Sequence, residues 1–150
     1  MTTVARIRTI LTEQIAGYRT LLEVLQRERE YLVHFDPAGV EALSKEKDTI
    51  VLKLRLLEEE RIRLVRSFSV EHGSAEENAF AKLVEITGDD TFPRLRLQLV
   101  SLLQGIMELN EFNRVLIERS SSVVNNALNF LGTLGITTHS AGGGLISREA

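Results

Sequence analysis

Cysteine does not occur in this chain of 150 residues, which removes disulfides, thiolate metal sites and thiol nucleophiles from consideration and suits a reducing compartment. Tryptophan is also missing, and aromatic residues make up only 5%. There are two prolines, Pro37 and Pro93, each placed where a helix is expected to begin. No run of 18 apolar residues exists, and the N-terminal stretch, with Arg6 and Arg8 among Thr and Val4, lacks a signal-peptide core. The expectation is a cytoplasmic protein without membrane insertion. Basic residues alternate with acids at a net charge of -3, so no electrostatic footprint for nucleic acid is present.

What is abundant is apolar residues at helical spacing, 43% hydrophobic overall and enough for one domain with a core of its own. Val4, Ile7, Leu11, Ile15, Tyr18, Leu22, Leu25 and Leu32 recur at steps of three, four or seven and predict a helix over about 3–34. In Phe35-Asp36-Pro37-Ala38-Gly39-Val40, Asp36 can cap the next helix, Pro37 takes its first position and Phe35 can staple onto Val40. Val40, Leu43, Ile50, Leu54, Leu57, Leu64 and Phe68 then carry a second helix over about 37–69, with Glu41/Lys45 and Glu59/Arg63 spaced as ion pairs. The short turn makes the two an antiparallel hairpin about 45 to 50 Å long.

Gly73 can end the second helix, and Ser74-Ala75-Glu76-Glu77 offers a capping box for a short third helix over about 75–87. A fourth, from Phe92-Pro93 through Leu95, Leu99, Leu102, Ile106, Leu109, Leu116, Val123 and Ala127, reaches about residue 131. At 1.5 Å per residue it is about 60 Å long and must overrun the hairpin or bend, at Gly105 or at Ser120 to Ser122. The expected fold is an all-α, elongated antiparallel bundle over residues 1–131. Half of the glycines lie beyond residue 131, so 132–150 is expected to be a flexible tail.

Catalytic chemistry has little to draw on. His34, His72 and His139 fall at a helix end, in a loop and in the tail, and no Glu-x-x-His spacing, phosphate loop or nucleophile elbow occurs. Glu30 and His34 are read as a solvated pair, Glu58-Glu59-Glu60 as a solvated face, and Lys47 and Arg61 as side chains snorkelling from the seam. No metal or other cofactor is expected, and the chain is read as a binding protein rather than an enzyme. The surface with no evident internal partner is the end of the fourth helix, giving Val123, Val124, Ala127, Leu128, Leu131 and Leu134 as partner-binding candidates. Asn110 and Asn113 interrupt the seam of Leu109 and Leu116, as register-setting amides or as secondary contacts to a partner.

The stretch from Glu13 to Phe68, with Tyr18, Leu21-Leu22-Glu23-Val24-Leu25, Glu28, Asp36, Leu43, Lys47, Leu54, Glu58 and Arg61, resembles FlgN-type flagellar export chaperones. Leu109-Asn110-Glu111-Phe112-Asn113-Arg114-Val115-Leu116 is similar to that family too. The resemblance implies a cytoplasmic, ATP-independent chaperone. It would bind C-terminal helical segments of hook-filament junction (hook-associated) proteins and deliver them to the flagellar type III export gate or ATPase complex. An aromatic tail motif, often Tyr-Gly, accompanies that pattern. This chain instead has Thr137-Thr138-His139-Ser140-Ala141-Gly142 and no tyrosine in the tail. The alternative from another class is a coiled-coil adaptor or scaffold whose exposed stripe pairs with itself as a homodimer.

Overall fold

The computed structural model describes residues 2–133 and 135. Among these residues the chain is helical with no strand, an all-α fold. Helix α1 spans Thr3–Val33, α2 Pro37–Glu71, α3 Ala79–Thr87 and α4 Thr91–Thr133, with a single 3-10 turn at Glu76–Asn78 before α3. Leu134 and most of the expected tail lie outside the described residues.

The helix ends follow from local chemistry. Asp36 caps α2 by accepting from Gly39 N at 3.0 Å, and Pro37 occupies the first turn. Both long helices of the hairpin stop in the same way, with paired backbone bonds closing a left-handed residue: Phe35 N to Leu32 O and Asp36 N to Tyr31 O, then Gly73 N to Val70 O and Ser74 N to Ser69 O. Gly73 takes its positive φ freely, whereas Phe35 holds φ 56 against its own Cβ. The expected capping box at Ser74 does not form. Ala75 is the N-cap and makes no side-chain bond, and Ser74 Oγ is buried without a partner, because the Ser74 amide is already committed to ending α2.

Helix α1 is the central element. α2 lies antiparallel along one flank and α4 parallel along another, each packing extensively on α1 while barely touching the other. Two buried clusters result. At the base, Ile7 of α1, Leu64 and Phe68 of α2, Ala79 and Leu83 of α3, and Phe92 of α4 close the end where the connections gather. Midway along, Leu21 and Leu25 of α1 meet Leu54 of α2, with Ile106 and Leu109 of α4 packed beside them. Removing a buried leucine such as Leu54 would cost about 2–5 kcal/mol. The short α3 is thus a lid across the base and no match for the long helices.

The expected Glu59/Arg63 pair is replaced by two others: Glu59 faces Arg55 at 3.7 Å, and Arg63 bonds Glu60. Glu60 also receives Arg6 of α1 at 3.3 Å. His34 and Glu30 do face one another, at 3.8 Å and well exposed. α4 is a single unbroken helix, and with Asn113 level with Leu25 and Glu28 its last turns run past the end of α1 at Val33.

Candidate partner-binding site

Two polar networks, one half-buried and one buried, link the long helices. Glu58 of α2 accepts from Gln14 of α1 at 2.8 Å and from Arg61 Nε at 2.8 Å. The Arg61 bond, aided by Gln14, lowers the Glu58 pKa against the opposing effect of burial. Beside it, burial and then the Glu58 charge raise that of Tyr18. Further up, Glu28 of α1, only 5% exposed, accepts from Lys47 Nζ at 3.2 Å and from Asn113 Nδ2 at 2.9 Å. Asn113 donates also to Leu25 O at 2.9 Å, so one amide ties α4 to α1 while the same carboxylate holds α2. Neither Lys47 nor Arg61 simply snorkels; each ends on a carboxylate.

Above this second network the helices part. A groove of about 490 Å³ opens between the hairpin turn and α4. Its hairpin side carries Tyr31, Leu32, Phe35, Pro37 and Val40, and its α4 side Ile117, Ser120, Ser121, Val124 and Asn125, with Glu28 and Lys47 also reaching it. Gly39 is required here, since a Cβ would stand 2.4 Å from the Tyr31 ring. Phe35 and Val40, the expected staple, both border the groove, and Phe35 remains 54% exposed. Holding a bulky residue in the left-handed region costs about 1–2 kcal/mol, strain of the kind kept where a side chain has a use.

The sequence-derived candidates separate into groups. Val124 lines the groove, Leu128 and Leu131 are half-buried, and Val123 and Ala127 are exposed, Val123 at 58%. Leu134 is outside the described residues. Phe130, 62% exposed, shares this end of α4. Asn110 is exposed, whereas Asn113 is 1% exposed and occupied within the bundle. The hairpin side of the groove is not legible in the sequence, because periodicity describes each helix alone and cannot say that Ile117 and Tyr31 line one groove. A signal did exist in the gap at Glu28 within the series Leu21, Leu25, Leu32, the kind of seam position that needs a polar partner.

Further apolar side chains stand exposed on both outer helices, Val51, Leu52 and Leu56 on α2, and Leu97, Val100 and Met107 on α4. No group of His, Asp or Glu among the described residues could hold a metal ion, and no described helix is long and apolar enough to cross a membrane. The arrangement is a three-helix bundle with an open groove and an overrunning amphipathic end, a surface of the shape on which a helical or extended segment can dock.

The FlgN protein family matches residues 1–137, and the chain belongs to that family, flagellar export chaperones in general terms and not enzymes. No curated protein and no solved structure gives a match.

Proposed function

We propose that this chain holds the C-terminal helical segments of hook-filament junction proteins in the cytoplasm, keeps them from assembling early and brings them to the export gate or ATPase complex. The observation that carries the reading is the overrun of α4. Residues 126–133 continue about 12 Å past the groove, presenting Ala127, Leu128, Phe130 and Leu131 with no opposing helix of their own. A partner helix laid along this end would meet Val124 and Leu128 on one side and Phe35 and Val40 on the other, burying apolar surface that would otherwise drive aggregation. Release requires only competition at the export machinery, so no nucleotide or other cofactor enters the cycle.

Leu128→Asp is expected to abolish binding of such a segment in isothermal titration while leaving helicity and melting unchanged. Should the variant unfold, the end of α4 is core and the proposed site is misplaced. The rival reading, a self-pairing scaffold, is favoured by the exposed stripe Leu97, Val100 and Met107. Sedimentation over a dilution series decides it, since a scaffold stays dimeric at low concentration.

A further inference from the structure

We propose that the groove at the hairpin turn takes one face of an amphipathic partner helix whose flank toward α2 carries a lysine or arginine, and that Asp48 selects for that cation. The inference rests on the partner-binding reading for the use of the groove and adds the chemistry that sorts its occupants. Three helices line the groove, with Tyr31 and Leu32 from α1, Val40 and Ser44 from α2, and Ile117 and Val124 from α4. Their backbone groups are already bonded within each helix, so these walls offer an extended segment no ladder to join. An occupant has to satisfy its own amides, which a helix does. From Ile117 to Asn125 the α4 wall is about 12 Å long, enough for about two turns.

Charge then distinguishes one amphipathic helix from another. Four charged residues border the groove: Glu28, Asp36, Lys47 and Asp48. Lys47 Nζ stands 3.2 Å from Glu28 Oε2, and their charges cancel. Asp36 accepts from Gly39 N as the cap of α2 and keeps its negative charge. Asp48 is exposed and, among the described residues, makes no hydrogen bond or ion pair, not even with Lys45 three residues earlier on α2. The opposite wall offsets neither aspartate. From Ser120 to Thr133, α4 has no charged residue at all, and Arg119, the last before that stretch, does not line the groove.

The groove is thus apolar and uncharged on its α4 side and acidic along α2. A partner helix with leucine-like side chains facing inward gains from burial wherever its charges lie, so apolar contact alone discriminates poorly. A carboxylate on the flank beside α2 would meet Asp48 with no cation to absorb the repulsion, whereas a lysine or arginine there would complete a pair. Selection comes from the difference between the two cases, and it fades as salt screens the exposed aspartate.

Because the chain has no tryptophan, a peptide carrying one reports its own binding by fluorescence anisotropy. The probes are two synthetic amphipathic helices of about 18 residues with the same leucine face, one with lysines along a flank and the other with glutamates there. With the full chain at low salt, the lysine peptide is expected to bind about tenfold tighter, and Asp48→Lys to bring the two within about twofold. Glu77→Lys makes the same charge change on an exposed residue at the base and should leave the tenfold ratio in place, which separates selection in the groove from the pull of overall charge. A ratio that Asp48→Lys leaves unchanged overturns the proposal, as do an equal fall in both variants and a failure of both peptides to bind. Equal binding of the two peptides, with Leu128→Asp still abolishing binding of a junction-protein segment, would keep the docking site and remove the charge selection. A ratio that follows Asp48 while Leu128→Asp changes nothing would keep the selection and move the site away from the end of α4.

Discussion

Glycine serves opposite purposes at two helical positions, which makes a pair of alanine substitutions informative. At Gly17 a Cβ would sit 2.7 Å from Leu54 Cδ2, beside the mid-bundle cluster of α1 and α2. The strain of displacing a buried leucine, about 1–3 kcal/mol, outweighs the gain of under about 1 kcal/mol in helix propensity, so Gly17→Ala should lower the urea midpoint. At Gly105 the nearest atom is Leu22 Cδ1 at 3.9 Å, an ordinary contact, and Gly105→Ala should stabilise by about 0.5–1 kcal/mol in the same measurement. Glu58 supplies the prediction for pH. Its pairing with Arg61 and Gln14 depresses the carboxyl pKa in the folded chain, so the stabilisation is complete above the ordinary glutamate range and fades as pH falls through the lowered value. Stability curves of the native chain and of Glu58→Gln should accordingly converge in acid and separate toward neutral pH.

Among the elements, α4 depends on few fixed points, and Asn113 is the chief of them. It is one of only two fully buried residues in that helix, the other being Phe92 at its start. Asn113→Ala removes two hydrogen bonds and takes one donor from buried Glu28, which should cost about 1–3 kcal/mol and loosen the upper part of α4 before the base. Residue-resolved hydrogen exchange checks both points, and uniform loss of protection along the chain would contradict them. The hairpin that this helix joins was plain in the sequence, since Asp36 and Pro37 state a stop and a start in adjacent residues. Helix lengths alone left two outcomes for α4, overrun or bend. What could not be read was anything set by one helix on another: the Glu28 to Asn113 bond spans 85 positions, and the Ser74 capping box failed because the end of α2 had first claim on that backbone. The groove belongs to the same class, visible only once α1 and α4 stand in register.

For the whole molecule, the arrangement of buried residues divides structure from use. Among the described residues every buried one precedes Ile117, so the last turns of α4 contribute little to what keeps the bundle folded. A chain ending at Ser120 should melt within a few degrees of the full one and lose binding of a junction-protein helix; a large drop in melting temperature would show that the end of α4 also supports the fold. The base and the open end differ in a further respect. α1 and α4 both begin at the base, where α3 lies across them, and both point toward the groove. A dye or purification tag fixed at Thr2 would therefore ride about 45 Å from the hairpin turn, unable to obstruct a docking partner and equally unable to sense one, whereas the same label at Phe130 would do both.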